Sequence, residues 1–215
     1  MPIPLVSGAT KTLHEFPSAG VLVVPKAWND PRALALRPGM WAADNGAFSG
    51  FDEGAFVRML ERHIGVHEDQ VRSSGQGCLF VTAPDVVADA ASTLARWPFW
   101  SRLIRGLGFP VAFVLQDGLH ESRIPWDEMD AVFVGGSTAY KESREVRSVC
   151  GYAKARGLWV HWGRVNSRRR YELALMSGAD SFDGSSMSIA PRVNLTKALE
   201  TWPGAIASQP ILEMT

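Results

Sequence analysis

Six short apolar runs in this 215-residue chain end on polar or glycine clusters, and the residue types there can move protons and stabilise charge. Trp41-Ala42-Ala43 leads into Asp44-Asn45-Gly46-Ala47-Phe48, Leu79–Ala83 into Pro84-Asp85, and Val111–Leu115 into Gln116-Asp117-Gly118. Further on, Val132–Val134 leads into Gly135-Gly136-Ser137, Val160–Trp162 into Gly163-Arg164, and Ser181-Phe182 into Asp183-Gly184-Ser185-Ser186. Carboxylates such as Asp44 and Asp183 suit general acid–base and nucleophilic work. Gly135-Gly136 can turn backbone N–H groups toward an anion or a base carbonyl. Each cluster also has an ordinary structural reading. Asp-Asn-Gly is a turn sequence, Pro84-Asp85 fits a turn with a helix cap, and Gly135-Gly136 fits a tight strand-to-helix turn. Asp183 has no helix partner in the sequence, and six coincidental turns at six strand ends are a poor explanation for the whole set.

The elements that must position these residues follow from periodicity. Strands are expected at Pro4–Val6, Val21–Val24, Trp41–Ala43, Cys78–Thr82, Val111–Leu115, Ala131–Val134, Trp159–His161 and Ser181–Phe182. They are rich in Val, Phe and Trp and apolar on both faces, as parallel strands covered on both sides must be. Between them lie helices. Asn29-Asp30-Pro31 is a cap with Pro at the first helical position. Phe56, Met59, Leu60 and Ile64 share one face of a helix from about Glu53 to Val71. Ala88–Gly106 is helical by composition, but Pro98 should kink or divide it. Val146, Val149, Cys150 and Ala153 form another apolar stripe stopped by Gly157. Asn166-Ser167 caps a helix carrying Arg168–Arg170, and Val193–Trp202 is a last, short one.

Strands alternating with helices in this way imply one domain, residues 1–215, folded as a compact (β/α)8 TIM-like barrel, with an open doubly wound α/β sheet as the alternative. The chain is short for a barrel, which usually takes about 250 residues, so several helices must be minimal. In a barrel the polar strand ends converge on one mouth, where active sites lie.

Composition narrows the partners. The 22 Lys+Arg balance 22 Asp+Glu, which excludes a globally basic nucleic-acid coat. Binding to a polyanion must use a local patch, and Lys141, Arg144 and Arg147 after the sixth strand, with Arg164, Arg168, Arg169 and Arg170 after the seventh, form a candidate ridge. Glu142, Glu145 and Glu172 can equally make it a solvated helix face. No apolar run is long enough for a membrane span, and the N-terminus lacks the pattern of a signal peptide. Two cysteines, Cys78 and Cys150, make neither a disulfide framework nor a four-thiolate zinc site and suit a reducing, cytoplasmic setting. His63 and His67 at i, i+4 lack a third ligand nearby and read as solvated. No GxSxG elbow, GxxxxGK[ST] loop or GxGxxG after the first strand occurs. Trp97-Pro98-Phe99-Trp100 reads as packing or an oligomer contact.

The ordered clusters resemble the tRNA-guanine transglycosylase (queuine tRNA-ribosyltransferase) superfamily, especially its compact deazapurine DNA-modification relatives from phages and bacteria. Asp44-Asn45-Gly46-Ala47-Phe48 is similar to the family's Asp-Ser-Gly-Gly-Phe, Gln116-Asp117-Gly118 to its Gln-Gly-Gly, and Val134-Gly135-Gly136 to its Gly-Gly element. Trp162-Gly163 stands where the family has Met-Gly, and Gly178–Asp183 resembles Gly-Val-Asp-Met-Phe-Asp. Order and spacing hold from Trp41 to Ser186. The resemblance implies exchange of guanine in a polynucleotide for a 7-deazaguanine base such as preQ0. Asp183 would be the nucleophile and Asp44 the acid–base carboxylate. Phe48 would stack on the base and Trp162 would form the opposing wall, while Asp85, Gln116 and the Gly135-Gly136 backbone read the base edge. The family's tRNA enzymes bind zinc through three Cys and one His near the C-terminus. This chain has no Cys after Cys150, so no zinc cofactor is expected and DNA, single-stranded or with a flipped-out guanine, becomes the expected substrate. Accessory modification proteins would be possible partners. Three other readings stay open: an N-glycosylase or nucleoside hydrolase using the same aspartate, a barrel enzyme on a small phosphorylated metabolite held by Gly135-Gly136, and a non-catalytic module of a modification complex.

Overall fold

A computed structural model describes residues 1–8, 11–26 and 31–207. Its eight parallel strands are β1 (Ile3–Val6), β2 (Gly20–Val23), β3 (Trp41–Ala43), β4 (Val81–Thr82), β5 (Val111–Leu115), β6 (Ala131–Val134), β7 (Trp159–Trp162) and β8 (Ser181–Asp183). Each pairs with the next, and β8 pairs back onto β1 with Leu5 opposite Asp183, which closes the barrel. The sheet is therefore the expected (β/α)8 barrel, and the open alternative is excluded. Only the fourth strand is much shorter than expected. Its ladder nevertheless begins earlier, since Leu79 N–H donates to Trp41 O (2.8 Å) and Ala43 N–H to Phe80 O (3.0 Å).

The small size is met by cutting helices. Among the described residues, the β1–β2 connection holds a 3-10 turn, Thr12–Glu15, and the β2–β3 connection a five-residue helix, α1 (Pro31–Ala35). Its expected cap residues, Asn29 and Asp30, lie outside the described residues. Arg37 compensates for the missing helix by donating to the carbonyls of Leu13 and Ala19. Full helices follow β3 and β4: α2 (Glu53–Ser74), capped by Asp52, and α3 (Ala90–Gly106), capped by Asp89. Pro98 lies inside α3 without dividing it. The β5–β6 connection has two 3-10 turns and no α-helix. Then come α4 (Thr138–Lys141), α5 (Arg144–Ala155) and α6 (Arg168–Met176). After β8 the chain forms α7 (Ser185–Ile189), α8 (Pro191–Thr196), a π-turn at Lys197–Thr201, and α9 (Trp202–Ala207).

Strand alternation sorts side chains into two apolar sets. Leu5, Leu22, Ala42, Phe80, Ala112 and Ala131 fill the barrel, while Val6, Trp41, Phe113, Val160, Trp162 and Phe182 join the layer between strands and helices. In α2 the buried stripe continues beyond Leu60 through His63, His67 and Gln70, so both histidines are core residues rather than solvated ones. Cys78 N–H donates to His67 Nδ1 (2.9 Å), leaving Nε2–H for the Gly108 carbonyl (3.1 Å). Gln70 bridges the Trp41 indole (2.7 Å) and the Leu34 carbonyl (2.6 Å), tying α2 to β3 and α1. A sequence stripe scored by hydropathy alone stops too soon, because these polar groups are buried by being hydrogen-bonded. Trp97 and Trp100 are also buried; Pro98 and Phe99 of that stretch face solvent.

Phe113 is fully buried and meets the Trp97 ring edge-on, with centroids 5.1 Å apart, away from the barrel mouth. Phe113→Ala is expected to lower unfolding stability by about 3–5 kcal/mol, measured by denaturant titration.

Candidate active site

The C-terminal ends of the strands open onto one cavity of about 350 Å³, within the size range of small-molecule sites. Asp44, Phe48, Asp85, Gln116, Gly135, Gly136, Lys141, Arg164 and Asp183 all line it. Three of these are carboxylates, and the protein holds each differently.

Asp183, the last residue of β8, points into the barrel and is 16% exposed. Its Oδ1 accepts the Arg164 backbone N–H (3.0 Å), and Oδ2 lies 3.0 Å from His161 Nε2. Burial works against its charged form. The His161 hydrogen bond, the Arg164 N–H and the Lys141 charge outweigh burial and hold the carboxyl below its usual range. Asp44 has the opposite balance. Burial, then the charges of Asp183 and Asp85, push it up to about 7, against weaker hydrogen bonds from the Gly46 and Asn45 backbone. One carboxylate is thus kept ionised while another is poised near neutrality, the separation that acid–base sites use.

Asp85 sits in an amide clamp. Asn45 Nδ2 donates to Oδ1 (2.8 Å) and Gln116 Nε2 to Oδ2 (2.6 Å). Burial still raises its pKa, although both amides oppose the shift. Asn45 is itself fixed by Ala83 O (2.9 Å) and the Ala47 N–H (2.6 Å). Gln116 Oε1 accepts the N–H of Ala88 (2.8 Å), whose φ of 60° is rare for a residue with a side chain. Gln116 therefore positions Asp85 rather than offering its own amide to the cavity. Gly135 makes room for this clamp, since a Cβ there would come within 2.9 Å of Gln116 Nε2 and 2.7 Å of a Val114 methyl. At Gly136, φ is +76° and a Cβ would meet Asp117 Oδ2 at 2.6 Å. Asp117 caps the following turn instead of entering the cavity, accepting from the Ser137 N–H (2.7 Å) and hydroxyl (2.5 Å). On the cavity floor, Thr82 Oγ1 has no partner among the described residues.

Phe48 stands at the mouth, 70% exposed, on the turn Ala47–Ser49 that Lys26 braces through the Ser49 carbonyl (2.8 Å). The Arg164 guanidinium lies over its ring, 4.6 Å from the centroid, and also reaches the Gly136 carbonyl. Arg164 has φ 60°, a left-handed conformation that aims its N–H at Asp183 and its side chain across the mouth.

Three expected placements need correction. Trp162 is 1% exposed and points away from the cavity into the helix-facing layer, because His161 occupies the inward position on β7. It is no wall opposite Phe48; Arg164 takes that place. Lys141 is not on a surface ridge. It is 5% exposed, lines the cavity and donates to the Gly163 carbonyl (2.6 Å), with burial and then Arg164 pulling its pKa down to about 7. Arg168 and Arg169 lie outside the cavity, paired with Glu172 (2.7 Å) and Glu142 (2.7 Å), so opposing charges offset much of the candidate ridge. Sequence reasoning also missed His161. Its signal was strand parity: one residue before Trp162, it falls inward beside Asp183. Among the described residues no cluster of three or more His, Cys, Asp or Glu is placed to hold a metal ion. No helix among them is long and apolar enough to cross a membrane. No protein-family model and no curated protein matches the chain.

The Asp44 shift has a stability consequence. A carboxyl raised from 3.8 to about 7 favours the fold most below pH 4, and that contribution is lost as pH rises to about 7. Asp44→Asn removes the loss. The variant is expected to match the native protein near pH 4 and to exceed it at pH 8 by about 2–4 kcal/mol, at roughly 1.4 kcal/mol per unit, in chemical unfolding at the two pH values.

Proposed function

We propose that this barrel cleaves and remakes an N-glycosidic bond, exchanging guanine in DNA for a 7-deazaguanine base. The observation that carries the reading is the pair of carboxylates in one cavity, Asp183 held ionised and Asp44 raised to about 7. Breaking a purine–C1′ bond builds positive charge at C1′ and negative charge on the departing base. An ionised carboxylate answers the first and a protonated one the second.

In this mechanism an Asp183 oxygen attacks C1′ as the C1′–N9 bond breaks, and Asp44 gives its proton to the leaving guanine. A glycosyl ester remains on Asp183. The incoming base loses its N9 proton to Asp44, N9 attacks C1′, and the ester C–O bond breaks. Both carboxyl groups return to their starting states. Asp85, with both oxygens held as acceptors by the two amides, suits the N–H-rich edge shared by guanine and 7-deazaguanines. Phe48 offers a ring face for stacking, and the Arg164 guanidinium at the cavity offers charge for a phosphodiester. The ordered resemblance from Trp41 to Ser186 supports the same substrate class.

The test is an oligonucleotide incubated with and without preQ0, digested and read by nucleoside mass spectrometry. The deazaguanine nucleoside is expected only with the native chain and added base. Asp183→Asn should fold and lose all product, whereas Trp162→Phe should retain it within about threefold, since that ring lies outside the cavity. Abasic DNA formed equally well without added base would replace exchange by hydrolysis. Product from Asp183→Asn would remove the covalent step.

The free protein must carry a proton on Asp44 for guanine to leave. Thus kcat/KM is expected to fall tenfold per pH unit above about 7, measured as a pH–rate profile from pH 5 to 9.

A further inference from the structure

We infer that His161 is a positioning residue whose tautomer is set by a one-way hydrogen-bond relay running up the barrel interior to Asp183. The inference rests on the reading of Asp183 as nucleophile only for its kinetic consequence; the relay itself is a matter of donors and acceptors.

The relay starts at Trp159, where β7 enters the barrel. Its indole Nε1–H can only donate, and it donates to Ser181 Oγ (2.8 Å). Among the described residues Ser181 Oγ has one other partner, His161 Nδ1 at 2.8 Å, and Ser181 is fully buried. Were Nδ1 protonated, Ser181 would receive two donors and its own buried hydroxyl hydrogen would have no acceptor among the described residues. The alternative satisfies every atom: Ser181 O–H donates to Nδ1, which places the ring proton on Nε2. That Nε2–H then donates to Asp183 Oδ2 at 3.0 Å.

The ring cannot turn out of this arrangement. His161 is 0% exposed and packed between Phe80 and Phe133, with centroids 5.2 and 4.7 Å away. The other groups facing Asp183 are the Arg164 backbone N–H and the charges of Lys141 and Asp44. Lys141 favours the Asp183 anion and an ionised Asp44 opposes it, so the His161 Nε2–H is a donor to the nucleophile that does not depend on the protonation of either neighbour. Pinning Oδ2 in this way, with Oδ1 on Arg164 N–H, fixes the plane of the carboxylate as well as its charge.

Two measurements test this. Two-bond 15N–1H spectra of the native protein at pH 8 should show His161 as the Nε2–H tautomer, and Trp159→Phe, which removes the first donor, should give a mixture. A native Nδ1–H tautomer or an equal mixture would overturn the relay whatever the protein catalyses. In the base-exchange assay, His161→Leu should lower kcat about 10–100-fold with KM within twofold, and move the acid limb of the pH profile upward by about one unit. His161→Gln, which keeps an N–H donor in reach of Oδ2, should restore most of both. Equal rates and equal acid limbs for native and His161→Leu protein would overturn the positioning role. If the native protein exchanges no base, the proposed function fails while the spectra still decide the relay.

Discussion

Asp44, Asp85 and Asp183 share the mouth of one apolar barrel, and three negative charges at such range in a low dielectric cannot all persist unaided. The surrounding residues are arranged around that constraint. Asp183 receives a ring N–H, a backbone N–H and a nearby ammonium. Asp85 receives two side-chain amides. Asp44 receives only weaker backbone support, and burial together with the remaining repulsion raises its pKa. The unequal shares are what make the carboxylates chemically different although all three have the same side chain.

Those arrangements strain the structure around them. Ala88 and Arg164 both adopt left-handed backbone conformations, and in each case the residue's N–H is the group that bonds a site side chain, Gln116 or Asp183. Lys141 is buried beside Arg164 with its pKa drawn down to about 7, a second unfavourable placement at the same mouth. The barrel below offsets this with dense packing and with interlocks such as Trp41–Gln70–Leu34 and Arg37 on two carbonyls. Function at the mouth and stability at the opposite end are thereby separated, as the fold generally allows.

Much of the architecture was legible in the residues. Eight apolar runs locate the strands to within a few residues, and polar clusters at six of their ends locate the cavity. Asp44, Asp85, Gln116 and Asp183 all face it for that reason. Trp162 was assigned by its place in a motif, yet strand alternation turns it outward and turns His161 inward. Polarity alone predicts His63 and His67 to be solvated, though their helix stripe buries them against carbonyl and N–H partners. For Arg168 and Arg169 the sequence leaves a phosphate-binding ridge and a solvated, charge-offset face equally open, and the pairing with Glu172 and Glu142 favours the second.

The sequence by itself determined the order of elements, the type of barrel and which strand ends carry carboxylates, because hydropathy period and turn chemistry are local properties. Only the tertiary structure decided which of those carboxylates ionises. That outcome depends on through-space neighbours: His161 from β7 beside Asp183 from β8, Asn45 and Gln116 from different strand ends on Asp85, and Lys141 folded back under Gly163. Charge in a buried site is set by distance and burial, and neither is written along the chain.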